Sequence, residues 1–162
     1  MKKLFVLACA CVAMNSFGIL NGISPAITPE ALKVLDEMGH GDELVIGDAN
    51  FPAHQLGIPV IHSEGSGAAD ILAGLNPLIN LDTYAIPVVM MAPLPNDELD
   101  PTVEAKYRRA LGNYTGKVER MEYREFYKRA RNARAVIRTS ESAKYGNVII
   151  KKGIIKAEFP KY

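Results

Sequence analysis

The sequence predicts a single α/β domain whose sheet is covered by helices. Stretches with the apolar spacing of helices alternate with short apolar stretches typical of strands. Residues 86–92 are apolar at both odd and even positions, which favours an interior strand with both faces covered. The 162 residues suffice for one hydrophobic core and are too few for two comfortable domains.

Four helices are predicted from apolar spacing and from their first residues. The first, over residues 29–38, has Thr28 as its N-cap and Pro29 in its first turn. The third opens at Asp100-Pro101 for the same reason. The second and fourth helices are expected over residues 68–75 and 124–132.

Short apolar runs predict six strands, at residues 43–47, 58–62, 86–92, 117–122, 134–139 and 148–150. Pro59 indicates either the start of the second strand or a strand at the edge of the sheet. The loop over residues 48–54 is polar and carries a proline, so we expect it to be exposed at the sheet edge. The last strand is expected to close the sheet after the turn over residues 140–147.

The charge pattern gives no indication of a nucleic-acid partner. Net charge is +1, and the basic residues between positions 107 and 138 are interleaved with Glu119, Glu122 and Glu125. A helix face of mixed sign is typical of solvated surface. Both cysteines, Cys9 and Cys11, lie in the first dozen residues, which excludes disulfides, thiol ligands and thiol nucleophiles from the body of the domain.

Residues 1–18 have the pattern of a secretory leader. Two lysines precede an apolar run over residues 4–14, which is too short to span a bilayer. We therefore expect an exported, periplasmic protein whose domain covers residues 19–162, with a lipid anchor at Cys9 as a variant of this reading. The alternative is a true start at Met14 and a cytoplasmic protein.

Two groups suited to proton transfer and hydroxyl binding lie at element ends. His40 sits between two glycines just after the first helix, and Asp48 follows the first strand, where open α/β sheets hold ligands. A second reading remains open, in which His40 caps the helix C-terminus and Asp48 only starts a turn.

No metal site is predicted, because the three histidines, His40, His54 and His62, lack close ligand pairing. The signatures of phosphate-binding loops, dinucleotide folds and nucleophile elbows are also missing. The remaining His, Asp, Tyr and Asn side chains suit acid/base work on a neutral hydroxylated substrate. Tyr145-Gly146-Asn147 could supply a hydroxyl, an amide and exposed backbone groups, or could be a simple hairpin turn.

Six segments of the chain together carry a specific resemblance to a known family. They are residues 22–25 (GISP), 30–35 (EALKVL), 37–43 (EMGHGDE), 48–54 (DANFPAH), 88–91 (VVMM) and 143–147 (AKYGN). In this order, over residues 19–153, the chain resembles the L-fucose mutarotase branch of the ribose pyranase/fucose mutarotase (RbsD/FucU) family. The resemblance implies an RbsD/FucU-like α/β fold in ring-like homo-oligomers, with sugar sites near subunit contacts and no cofactor.

The implied activity is interconversion of the anomers of a free monosaccharide, L-fucose in this branch and D-ribose in the sister branch. By motif, His40 corresponds to the proton donor, Asp48 to a sugar-binding carboxylate, and Tyr145, Gly146 and Asn147 to further sugar-binding residues. Our hypothesis is that His40 is the acid and that Asp48 holds hydroxyls or orients the imidazole.

One departure concerns an arginine that such mutarotases carry three residues before the Phe-Tyr of the late helix. Here that position is Tyr123, so Arg124 or Arg120 would have to substitute. The preferred sugar is therefore left open. The alternatives are D-ribose pyranase activity and a sugar-binding or scaffold protein without catalysis.

Overall fold

Two hydrophobic clusters lie on opposite faces of a six-stranded sheet in the computed structural model, which describes residues 20–155. The strands are β1 (Glu43–Gly47), β2 (Val60–Ser63), β3 (Val88–Met91), β4 (Val118–Met121), β5 (Ala135–Thr139) and β6 (Val148–Lys151). The helices are α1 (Pro29–Glu37), α2 (Ala68–Leu75), α3 (Pro101–Ala110) and α4 (Tyr123–Ala130), with a 3-10 turn at Ala53–Leu56. The predicted α/β class with a helix-covered sheet is confirmed.

The helix starts follow from their capping residues. Thr28 accepts a hydrogen bond from the backbone N–H of Ala31 at 3.2 Å, and Asp100 accepts one from that of Thr102 at 2.8 Å. Glu122 does the same for α4, accepting from the N–H of Arg124 at 2.9 Å. This cap explains why α4 begins at Tyr123, one residue before the predicted start.

The strand order is β2-β5-β1-β6-β3-β4. β6 runs antiparallel between β1 and β3, whereas the pairs β1/β5, β2/β5 and β3/β4 are parallel. The expectation that the last strand closes the sheet was therefore wrong, because β6 lies inside it. Since β1 separates β5 from β6, the segment between them is not a hairpin turn. The predicted edge position of β2 and interior position of β3 are confirmed.

The loop after β1 is more buried than predicted. Phe51 and Ala53 are buried in the cluster that joins the sheet to α4, where the ring of Phe51 lies 6.2 Å from that of Phe126. A Cβ at Gly47 would come within 2.9 Å of the Phe51 side chain, so the strand end must be glycine for this packing. The apolar residues inside this otherwise polar loop explain the difference.

A partly buried ion pair ties α4 to β1. Arg129 bonds both carboxylate oxygens of Glu43, at 2.7 and 3.0 Å, and the Lys151 ammonium lies 3.2 Å from the same carboxylate. Burial alone would raise the pKa of Glu43, but the hydrogen bonds and positive charges of Arg129 and Lys151 outweigh it and lower that pKa.

Within residues 20–155, no helix is long and apolar enough to cross a membrane. The leader expected over residues 1–18, and with it both cysteines, lies outside the described residues.

Candidate functional site

A cavity of about 200 Å³ lies at the edge of the sheet that is formed by strand ends, where β1 and β3 end and β6 begins. Because β6 is antiparallel to its neighbours, its first residues meet the carboxyl ends of β1 and β3. The lining residues are Asp48, Asn50, Phe51, Met91, Tyr127, Lys144, Tyr145 and Asn147. Three of the six residues predicted for the site, Asp48, Tyr145 and Asn147, are thus brought together here.

Asp48 and Asn147 form a reciprocal pair. The backbone N–H of Asp48 donates to Asn147 Oδ1 at 2.8 Å, and Asn147 Nδ2 donates to Asp48 Oδ2 at 2.9 Å. The other carboxylate oxygen accepts from the N–H of Asn50 at 2.9 Å. Burial raises the pKa of Asp48, against the opposing effect of these hydrogen bonds. With donors from Asn50, Asn147 and the backbone of Phe51 on a carboxylate that can accept about four hydrogen bonds, at least one lone pair is left for a ligand hydroxyl.

The hydroxyl of Tyr145 is held by a loop that the sequence did not single out. It donates to Asp97 Oδ2 at 2.6 Å and accepts from the N–H of Leu94 at 3.2 Å. Lys144 also binds Asp97, at 2.8 Å, and its hydrogen bond is the main cause of the lowered pKa of Asp97, followed by that of Tyr145. With its proton committed to Asp97, the Tyr145 oxygen can only accept a further hydrogen bond.

Gly146 passes beneath α3 and does not line the cavity. Its carbonyl accepts a 2.7 Å hydrogen bond from the hydroxyl of Tyr107, and burial raises the pKa of Tyr107, so this phenol stays a donor. A Cβ at Gly146 would lie 2.9 Å from the carbonyl oxygen of Ala143. Tyr145 itself has φ 58°, an uncommon value for a residue other than glycine, so this segment is tightly constrained on both sides.

His40 lies at the opposite row of strand ends, which forms the other edge of the sheet, just before β1 begins at Glu43. A five-residue strand spans about 17 Å, so His40 and Asp48 are not brought together within one chain. The imidazole instead contacts a different carboxylate, with His40 Nε2 3.2 Å from Asp82 Oδ1. The ring of Tyr84 packs edge-on at 5.5 Å, and the His40 side chain remains 45% exposed.

The reading of His40 as a C-terminal cap of α1 was wrong, because Lys152 has that role. The buried Lys152 ammonium donates to the carbonyl of Leu35 at 2.9 Å and to that of Met38. His40 is thereby left free of the helix end.

Neither arginine reaches the cavity lining. Arg124 is exposed and lies over the ring of Tyr123, 5.1 Å from its centre. Arg120 binds Glu104 at 2.7 Å and the carbonyl of Met91 at 3.3 Å. Tyr123 packs against Tyr127, which does line the cavity, at 6.3 Å between ring centres. An aromatic ring thus occupies the position of the expected arginine.

His54 and His62 are exposed, their rings lie 5.5 Å apart, and neither residue lines the cavity around Asp48. Among residues 20–155, no group of three or more His, Cys, Asp or Glu side chains is placed to hold a metal ion.

Comparison with known proteins decides the family. A sequence model of the RbsD / FucU transport protein family matches residues 21–155. The chain belongs to this family. It is 53% identical over 140 residues to an L-fucose mutarotase of Actinobacillus pleuropneumoniae serotype 5b (strain L20), covering 84% of this chain and 97% of that protein. The resemblance inferred from the sequence is confirmed.

Two solved structures have the same fold. The fucose mutarotase of Streptococcus pneumoniae in complex with L-fucose gives a TM-score of 0.78 at 31% identity, covering 84% of this chain and 99% of that one. FucU from Bifidobacterium longum gives 0.78 at 38% identity, covering 83% and 99%. Nearly the whole length of each relative is therefore matched by this RbsD/FucU family member.

Proposed function

We propose that this chain is an L-fucose mutarotase, an isomerase that interconverts the α and β anomers of free L-fucose or a related monosaccharide. The fold, the family and a 53%-identical L-fucose mutarotase support this activity. The observation that carries the proposal is the Asp48–Asn147 pair beside the Tyr145 hydroxyl in one small cavity. Such a set of acceptors and an amide donor suits a neutral polyol.

The reaction needs one proton delivered to the ring oxygen and one removed from the anomeric hydroxyl. The bond between C1 and the ring oxygen then breaks to give the open-chain aldehyde. Rotation about C1–C2 and reclosure yield the other anomer, with no net change in atoms or charge. In this proposal His40 takes up the proton of the anomeric hydroxyl and, as an imidazolium, gives a proton to the ring oxygen as the C1–O bond breaks, while Asp48, Asn147 and Tyr145 hold hydroxyls.

The positions of His40 and Asp48 favour a site completed by a second copy of the chain. About 17 Å of β1 separates the two edges of the sheet, far more than the width of one sugar ring. If the His40 edge of one copy faces the Asp48 edge of the next, both groups reach the same sugar. Head-to-tail contacts of this kind close into rings, as the proposed ring-like homo-oligomer requires.

The activity is tested by exchange NMR on the anomeric protons of equilibrated L-fucose, with and without catalytic amounts of protein. Wild-type protein should enhance exchange, and His40→Ala should lose about 10²–10⁴-fold of that enhancement. His62→Ala, which removes an exposed imidazole on β2, is the control and should keep the wild-type rate. Faster exchange with D-ribose than with L-fucose would instead support a ribose pyranase. Sugar binding without exchange would indicate a silent binding protein.

The shared site is tested by mixing subunits. His40→Ala and Asp48→Asn proteins, each inactive alone, are co-expressed with different tags and purified as mixed oligomers. If each site combines two copies, roughly a quarter of the sites regain both residues and activity returns in proportion. Mixed oligomers without activity would place both residues in the site of one chain or outside the site altogether.

A further inference from the structure

The group that contacts His40 is a buried carboxylate on the turn before β3. The Asp82 side chain is 5% exposed, and its Oδ1 lies 3.2 Å from His40 Nε2. The same oxygen accepts the backbone N–H of Tyr84 at 3.0 Å. A carboxylate shielded from water in this way gives a directed contact, unlike an ion pair between two exposed side chains.

Both turns that form this contact are attached to the end of β6. On one side, Gly41 donates its N–H to the carbonyl of Lys152 at 2.8 Å, and Lys152 donates its own backbone N–H to the carbonyl of Asp42 at 2.9 Å. On the other side, Asp82 donates its N–H to the carbonyl of Lys151 at 3.0 Å, and Leu81 bridges to Lys152. The imidazole and the carboxylate are therefore held at a fixed separation by one strand end.

The protonation of the pair follows from its donors. The N–H of Tyr84 and, to a lesser degree, the contact with His40 lower the pKa of Asp82, so its carboxylate is ionised and can only accept hydrogen bonds. His40 Nε2 must then carry the hydrogen, and Nδ1 of the neutral ring is the free acceptor. The ring of Tyr84 packs edge-on against the imidazole, with 5.5 Å between ring centres.

We propose that Asp82 is the positioning residue of His40: it holds the imidazole with hydrogen on Nε2, so that Nδ1 exchanges the proton with the sugar. The inference deepens the proposed mutarotase function and rests on it. When Nδ1 takes up a proton, the negative charge of Asp82 stabilises the imidazolium, as a buried aspartate does in hydrolase triads. Asp82 itself does not touch the substrate.

The tautomer is tested directly by NMR on ¹⁵N-labelled wild-type protein. The two-bond couplings between the carbon-bound ring protons and the two ring nitrogens show which nitrogen carries the hydrogen, at a pH where the histidines are neutral. The His40 signals are assigned by their loss in His40→Ala. The expected pattern is a protonated Nε2 and a bare Nδ1. A protonated Nδ1 would overturn the proposal, because Nε2 would then face the carboxylate without a hydrogen.

The role in turnover is tested with Asp82→Asn, which keeps an oxygen for the N–H of Tyr84 and removes the charge. Its rate of anomer exchange should fall at least tenfold with little change in the sugar concentration giving half-maximal rate, and Asp82→Glu should recover part of the loss. Asp36→Asn, an exposed carboxylate on α1, should stay within twofold of wild type. Urea unfolding of each variant shows whether the fold is kept.

The outcomes separate this inference from the function itself. If wild-type protein does not enhance exchange, the proposed function fails, while the tautomer can still be read. If His40→Ala is inactive and folded Asp82→Asn and Asp82→Ala both keep the wild-type rate, the positioning role alone is overturned. A drop in sugar affinity at an unchanged maximal rate would also overturn it, by assigning Asp82 to binding.

Discussion

Replacing Asn147 by aspartate sets a second carboxylate against Asp48 and tests how the site is held together. The amide that donates to Asp48 Oδ2 at 2.9 Å becomes an oxygen, so a hydrogen bond is exchanged for repulsion. At that separation two unit charges repel by about 6 kcal/mol at an effective dielectric of about 20. Binding one proton costs less, about 4 kcal/mol at pH 7 for a carboxyl with an ordinary pKa of about 3.9.

The folded variant should therefore bind one proton that the unfolded chain releases. Because folding raises the pKa of the pair, the stability of the variant is highest below a pH of about 4 and falls as the pH rises. We expect Asn147→Asp to be less stable than wild type by about 4 kcal/mol at pH 7 and by about 1.5 kcal/mol at pH 5. Exchange of anomers at pH 7 should be lost with the amide donor.

The assay is urea unfolding followed by circular dichroism at pH 5, 6 and 7, at one fixed protein concentration. Asn80→Asp is the matched control, since Asn80 is exposed and donates to the carbonyl of Ile154 at 3.0 Å. It should cost less than about 1 kcal/mol at every pH. A loss of stability in Asn147→Asp that does not change between pH 5 and 7 would refute the reasoning about the shared proton.

Three further outcomes are expected. Tyr107→Phe should lower the free energy of unfolding by about 1–3 kcal/mol, since the Gly146 carbonyl stays buried without a donor. An equal loss in Tyr114→Phe, whose hydroxyl makes an exposed hydrogen bond, would contradict this. Gly146→Ala, with its Cβ 2.9 Å from the Ala143 carbonyl, should cost about 1–3 kcal/mol and weaken sugar binding in NMR titrations; wild-type affinity and stability would count against it. Glu43→Gln should be less stable than wild type at pH 7, because a carboxylate whose pKa is lowered on folding stabilises the fold at pH values above its unfolded pKa of 4.5. This difference in stability should shrink as the pH falls below that value, and a difference that stays constant as thermal melts are taken to more acid pH would contradict the reasoning.

The helices and strands could be predicted because their signals are local. Thr28 and Asp100 cap the helices they precede, and the unbroken apolar run around β3 matches a strand buried on both faces. The end of β1 likewise indicated the position of Asp48. Each of these inferences uses residues that are neighbours in the chain.

The rest of the site depends on contacts between distant parts of the chain. The partners Asp48 and Asn147 are 99 residues apart, and the donor to Gly146 comes from Tyr107 on α3. Nothing in the sequence indicated that β6 would insert between β1 and β3, since strand order is set by packing of the whole sheet. No sequence pattern singled out Asp82 either, because its contact with His40 exists only once β6 is in place.

The antiparallel strand β6 fixes both halves of the proposed site. Asn147, just before its first residue, binds Asp48 at one edge of the sheet, and Lys152, just after its last, holds the His40 turn at the other. The length of this strand therefore sets the distance between the hydroxyl-binding groups and the proposed acid. A slip of one residue in its pairing would turn the Asn147 side chain to the opposite face and move the Lys152 contacts at the same time. Both halves would fail together, so in the proposed shared site the register of β6 determines whether neighbouring copies could present Asp48 and His40 to one sugar.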